Sequence, residues 1–170
     1  VNRDAINAIV FSGLATPVSS FFGPGSGSAY DPTLPPYKYN PALARTLLKQ
    51  AGLQGTTIRM QQSLGNQNSI DALTIVQENL RDVGITMKIE LLDQTSWVGQ
   101  LGRGLDGTGI DGMCAQGYGN ETNTQGLDLF GTAAMPPKGF NTGFYLNPLV
   151  EAAAKAAVAA KSYDEYIVAL

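Results

Sequence analysis

The residues whose types and spacing invite a chemical interpretation lie mostly in the second half of the 170-residue chain. Gly102-Arg-Gly104-Leu-Asp-Gly107 matches the dinucleotide fingerprint letter for letter. That motif works only where a strand precedes it and a helix opens within it, so that a pyrophosphate meets a helix N-terminus. Here a helical pattern comes before and a strand pattern after, which predicts a helix-to-strand turn and no bound cofactor. Asp106 with Asp111, and Glu121 with Asp128, are carboxylate pairs of the kind used in acid–base work. Nothing in the spacing fixes their separation, and solvated loop charges account for them. There is no histidine and no Ser-x-x-Lys, so the usual nucleophile–base pairs are missing and enzyme function gains little support. Asn120-Glu-Thr122 is a formal glycosylation sequon, with meaning only in a eukaryotic secreted chain.

The stretch with most binding chemistry is Gln116-Gly-Tyr-Gly-Asn-Glu-Thr-Asn-Thr-Gln125. It follows a predicted strand and is dense in hydrogen-bonding side chains. Ligands of open α/β sheets bind beyond the carboxyl ends of the strands, so Tyr118, Gly119, Asn120 and Glu121 are the candidate ligand contacts. Tyr118 offers an apolar face with a hydroxyl, and Glu121 a negative point for a cationic group. The alternative is a solvated loop satisfied by its own turns. Trp97, the one tryptophan, is either a buried anchor or a ligand contact exposed toward a cleft.

The composition sets the frame. The chain is 44% apolar but only 15% charged, with 20 glycines and nine prolines, which implies a globular core joined by long irregular stretches. Net charge is −3 with no Lys/Arg run, which argues against a nucleic-acid partner. A single Cys114 without histidine excludes the common zinc and redox constellations and any intramolecular disulfide, and Cys114 fits a small buried hydrophobe. No window approaches eighteen apolar residues, so no transmembrane segment is expected. The chain starts at Val1 and carries no signal peptide, which suggests that an upstream segment has been removed.

Helix and strand signals follow in order. Residues 3–11 read as a helix stopped by Gly13. Residues 14–39 read as a long irregular surface segment anchored by Phe21, Phe22, Tyr30, Tyr37 and Tyr39. Asn40-Pro41 opens a helix with Leu43, Leu47, Leu48 and Ala51 on one apolar face and Gly52 just past its end. A strand is predicted over 56–62, with Ile58 and Met60 on one side. A helix capped by Ser69 follows to about Val83, apolar at Ile70, Leu73, Val76, Leu80 and Val83. Residues 85–91 alternate sharply, with 85, 87, 89 and 91 facing in. A short helix over 95–101 carries Trp97, Val98 and Leu101, and a third strand is predicted over 109–117. Residues 118–147 are mostly loop, with a possible helical turn over 127–130. Asn147-Pro148 repeats the cap-and-proline device before an alanine-rich helix, and the pattern is helical again from Tyr163. Alternating strands and helices give an α/β fold, a central sheet flanked by helices, with 56–62 and 85–91 as parallel neighbours. Three strands is few for this length, so the chain is expected to be one lobe of something larger.

In sequence order, several landmarks resemble the family 5 extracellular solute-binding proteins of bacterial ABC importers, the oligopeptide- and dipeptide-binding group. Arg3-Asp-Ala-Ile6 resembles the end of the family's "aidReaI" helix, Gly13-Leu-Ala-Thr-Pro17 its "G.atP", and Tyr30-Asp-Pro32 its "YDP". Tyr39-Asn-Pro41 with Ala44, Leu47-Leu48 and Ala51-Gly52 resembles "YdpekAkaLLaeAG". Further on, the run from Ile75 to Ile85 resembles "iqqqLkkiGI", Gly109-Ile-Asp-Gly-Met113 "gdfDma", and Phe144-Tyr-Leu-Asn-Pro148 "gysNPe".

The resemblance implies one lobe of a type II periplasmic-binding-protein-like fold, with residues 1–170 as a single, partial C-terminal lobe. It implies closure on a peptide or another small polar solute against an N-terminal lobe carried elsewhere, and delivery to an ABC permease. It also implies a periplasmic or extracellular location, tethered as a lipoprotein in a Gram-positive cell, with no catalysis and no cofactor. A sensory domain docking a partner protein is the alternative on the same scaffold, and a carboxylate-based enzyme the more distant one. Where peptide-binding members carry "GW..DY.DP", this chain has Gly117-Tyr118-Gly119-Asn120-Glu121-Thr122-Asn123-Thr124. The aromatic is kept as Tyr118 and the carboxylate as Glu121, one methylene longer, while the second aromatic and the Asp-Pro are gone. Tyr145, beside the "gysNPe" match, joins the candidate contacts. Sugar-, nickel- and opine-type ligands also occur in the family, and the absence of histidine excludes metal binding through imidazoles of this chain.

Overall fold

The computed structural model describes residues 1–101, 113–114 and 129–169. They fall into two compact units. The first comprises Val1–Pro17, Pro36–Trp97 and Ile110–Gln116, and the second Val18–Pro35, Val98–Gly109 and Gly117–Leu170.

The first unit is built on a parallel sheet. Strands β1 (Thr57–Ser63) and β2 (Thr86–Leu92) pair in parallel from Thr57↔Thr86 to Ser63↔Leu92. Strand β3 (Met113–Cys114) pairs in parallel with the other side of β1, giving the order β2-β1-β3. Only these two residues of the strand expected over 109–117 are among those described. Helix α3 (Gln67–Arg81) crosses from β1 to β2. Its Leu73 packs on Met60 and Met87 to make the buried core, which Ile58, Val76, Leu80 and Ile89 extend. The period-two alternation is therefore real over Met87 and Ile89. It fails at Leu91, which is 43% exposed, because the core under α3 ends one pleat earlier.

On the opposite face of the sheet the chain is polar. Arg59 donates from Nε and Nη2 to Oε1 and Oε2 of Glu90, at 2.9 and 2.7 Å. Gln61, the register partner of Glu90, donates to the same Oε2 at 3.1 Å. This fork holds the Glu90 carboxyl below its ordinary range, with the bond from Arg59 the largest cause and that from Gln61 the next.

The helices around the sheet start where the caps dictate, with one exception. Helix α1 (Arg3–Val10) is capped by Asn2, whose own amide donates to Asn79 of α3 at 2.6 Å. Gly13, at φ 78°, ends it. Helix α2 (Pro41–Gln50) opens on the Asn40 cap with Pro41 in its first turn, and Gly52 at φ 68° closes it. Its expected apolar face is turned. Leu43 and Leu47 are exposed, whereas Ala44 and Leu48 are half-buried. Arg45 of the same helix donates from Nε to the Asp82 carbonyl at 3.1 Å. The exception is α3, which starts at Gln67 under Asn66 and not under Ser69. Asn66 Oδ1 accepts the Ser69 amide at 3.1 Å, so Ser69 is the residue being capped.

The second unit contains a 3-10 stretch at Pro24–Ala29, broken at Gly27, inside the segment expected to lack regular structure. Its organising helix is α5 (Pro148–Ala159), with Ala154 and Ala157 buried and α6 (Tyr163–Ala169) packed against it. The Asn147 side chain caps α5 through the Leu149 amide at 2.9 Å. Upstream, Asn141 is 1% exposed and ties the chain together. Its Nδ2 donates to the carbonyls of Gly131 and Tyr145, and its Oδ1 accepts the Tyr145 amide. Phe22, Phe21, Phe130 and Tyr145 follow one another edge to face, with centroids 5.2–5.9 Å apart. Among the described residues no helix is long and apolar enough to cross a membrane.

Two stability measurements test this assignment. Asn66→Ala is expected to cost about 1 kcal/mol in denaturant-monitored unfolding and Ser69→Ala only a few tenths; the reverse order would restore Ser69 as the cap. Glu90→Gln is expected to remove a contribution present above the ordinary glutamate pKa of 4.5 and lost as pH falls through the lowered folded value. The stability gap between wild type and variant should therefore close on acidification, and a gap that stayed constant or widened would contradict the fork.

Candidate functional site

A sheet whose strands all run the same way presents its carboxyl ends along one edge. In the first unit that edge is formed by Ser63, Leu92 and Cys114. The Leu64 amide donates to the Leu92 carbonyl at 2.7 Å and joins the first two exits. Helix α4 (Gln94–Leu101) begins directly after β2. Asp93 caps it, with Oδ1 accepting the Ser96 amide at 3.0 Å, and its carboxyl is held below the ordinary range chiefly by bonds from Ser96. The Trp97 amide donates to the Asp93 carbonyl, which sets the tryptophan in the first turn of α4.

Of the residues singled out from the sequence, Trp97 and Tyr145 are described. Tyr118, Gly119, Asn120 and Glu121 lie outside the described residues. So do the 102–107 glycine motif, the Asn120 sequon and the carboxylates Asp106, Asp111 and Asp128. Trp97 is buried at 9% exposure, and its indole N–H has no acceptor among the described residues. Tyr145 is 42% exposed. Its backbone is locked by Asn141 and its ring by Phe130, and its hydroxyl accepts from Asn147 Nδ2 at 3.1 Å. The two residues belong to different units, Trp97 to the first and Tyr145 to the second.

The structure adds residues that the pattern reading missed. Gln61 and Gln62, at the carboxyl-terminal end of β1, are buried, and each keeps an amide oxygen with no donor among the described residues. Buried polar atoms without a partner are rare, and each carries a desolvation cost. The available signal was the run Gln61-Gln62-Ser63 at the end of a strand that is central in the sheet, where apolar residues are the norm. The unpartnered groups are two neutral acceptors, on opposite faces of β1, and one neutral donor on Trp97. They supply neither a nucleophile nor a base.

The profile of the bacterial extracellular solute-binding proteins, family 5 middle region, matches residues 1–155. The glutathione-binding protein GsiB of Pectobacterium atrosepticum is 34% identical over 157 residues, covering 89% of this chain and 30% of its own length. Its counterpart from Escherichia coli K12 is 30% identical over 156 residues, with the same coverage. The chain thus spans about a third of the curated relatives it matches. Among solved structures, the oligopeptide-binding protein AppA of Bacillus subtilis, in complex with a nonapeptide, superposes with a TM-score of 0.83 at 21% identity. The match covers 99% of this chain and 36% of AppA. The periplasmic binding protein DppA of Helicobacter pylori, in complex with the peptide STSA, gives 0.84 at 22% identity, covering 99% and 32%. The α/β sheet with its flanking helices is accordingly one lobe of the bilobed type II periplasmic-binding-protein fold. By sequence over nearly its whole length, this chain belongs to the family 5 bacterial extracellular solute-binding proteins.

Proposed function

We propose that residues 1–170 form part of the C-terminal lobe of an importer's solute receptor, and that its solute is a short peptide of the glutathione class. The observation that carries this is the family match over residues 1–155, together with relatives of 30–34% identity that are named glutathione-binding proteins. Such a solute offers amide groups, carboxylates and one ammonium. In this proposal Glu121 takes the ammonium, and Tyr118, Gly119 and Asn120 contact the rest of the solute. Trp97 and Tyr145 are the two described candidates, each carried by its own unit.

The mechanism is closure. A second lobe, carried elsewhere in a longer protein, folds over the solute, and the difference in affinity between open and closed states sets how far the equilibrium moves. An ABC permease then reads the closed form at the outer face of the cytoplasmic membrane, where the receptor is periplasmic or tethered by lipid. No covalent chemistry is involved.

Calorimetry on the full-length protein carrying this chain tests the proposal. Reduced glutathione and unmodified tripeptides should bind. N-acetylation of the ligand, or Glu121→Gln in the protein, should weaken binding by at least about tenfold, the equivalent of ~1.4 kcal/mol. Equal affinity for free and acetylated ligands would remove Glu121 from the ammonium site, and no binding of any short peptide would remove the solute class. The 170-residue chain alone should bind at least about 100-fold more weakly, because half of the enclosing contacts are absent. Matching affinities would overturn the two-lobe mechanism.

A further inference from the structure

The second unit holds a cleft of about 590 Å³ that none of the solute-binding chemistry above uses. One wall is α5, through Glu151, Lys155 and Val158, and the other is the 131–140 segment, through Ala134, Lys138 and Phe140. The volume lies within the range of small-molecule sites.

The walls are held firmly. The Asn141 amide donates to the Ala134 carbonyl at 2.8 Å, and the Lys138 amide to the Met135 carbonyl at 2.9 Å. Gly139 sits so close to the Ala134 backbone that a Cβ there would lie 2.7 Å from the Ala134 oxygen. Lys138 is therefore presented from a tight, backbone-bonded turn.

The charges in the cleft are unbalanced. Glu151 is already engaged: its Oε2 accepts the Thr132 amide at 2.9 Å and its Oε1 faces Lys155 Nζ at 3.4 Å. Among the described residues Lys155 uses that one contact, and it stays largely exposed. The Lys138 ammonium has no hydrogen-bond or ion-pair partner among the described residues. Two ammonium groups against one committed carboxylate leave a net positive cleft. Its remaining surface is apolar, with the Phe140 ring 57% and Val158 71% exposed. An anionic head with a compact apolar body complements both features.

We propose that this cleft binds a small organic monocarboxylate, its carboxylate on Lys138 and Lys155 and its aromatic or branched body against Phe140 and Val158. The site is independent of the peptide reading, since it uses none of the residues assigned to that solute.

The test is ligand-observed fluorine NMR on the full-length protein, saturated with its transport solute if one is known, using 4-fluorobenzoate and the neutral 4-fluorobenzamide as probes. The benzoate should bind in the millimolar range, at least about fivefold more tightly than the benzamide, and more weakly as salt is raised. Lys138→Gln, a change in an exposed turn, should erase that preference, and Val158→Asp should abolish binding of both probes. Equal binding of the two probes, no change in Lys138→Gln, or no binding up to about 10 mM would each overturn the proposal. A cleft found occupied by another segment of the same protein, or by a second copy, would overturn it as well.

Discussion

The parallel pairing of β1 with β2 under α3 is the constraint on which the first unit depends. Parallel neighbours cannot be joined by a hairpin, so the chain must travel back along the full strand length before β2 begins. The 15 residues of α3 span about 22 Å at 1.5 Å per residue, and a seven-residue strand spans about 23 Å. The crossover is thus matched to the strand it crosses. Leu73 of α3 closes on Met60 and Met87, which fixes the register and with it the position of every strand exit. Because β3 also runs parallel to β1, its Cys114 end points toward the edge where α4 begins. The placement of Trp97 in the first turn of α4 is a consequence of that geometry.

The second unit is held differently. Its buried residues in α5 are alanines, which bury little area each, and much of its definition comes from hydrogen bonds and ring edges. Asn141 does for this unit what Leu73 does for the first. With its side chain bonded to two carbonyls and one amide, it sets the path from Gly131 to Tyr145. A buried amide whose bonds are all made specifies one geometry, since any shift strands a polar group out of reach of water.

This difference explains what the sequence could and could not convey. The strands, the α3 crossover and the capping devices Asn40-Pro41 and Asn147-Pro148 were legible because each follows a short periodic or positional rule. The start of α3 was misassigned because Asn66 and Ser69 both satisfy the capping preference. What decides between them is the turn at Gly65, with φ at 97°, which delivers the chain to Asn66. The rotation of α2 was not legible, since four apolar positions define a face but not which part of it meets a neighbour. Asn141 gave no signal at all: an asparagine in a Gly- and Pro-rich stretch looks like any turn residue until its partners, up to ten positions away, are in place. Of the candidate site, Trp97 was legible as a residue of interest, while Gln61 and Gln62 went unmarked because their burial depends on β1 being central.

Those two glutamines bear on what such a site can recognise. A buried amide oxygen without a donor costs roughly 1–3 kcal/mol, a substantial share of the ~5–15 kcal/mol that holds a domain together. Both oxygens lack a donor among the described residues. Gln61 has a partial reason in its bond to Glu90, which completes the fork with Arg59. Among the described residues Gln62 donates to its neighbour Ser63, at 3.4 Å. A neutral acceptor discriminates through hydrogen bonding and not through charge, because a group that fails to donate leaves it unsatisfied. Selection by charge needs an ionised group, the part proposed for Glu121.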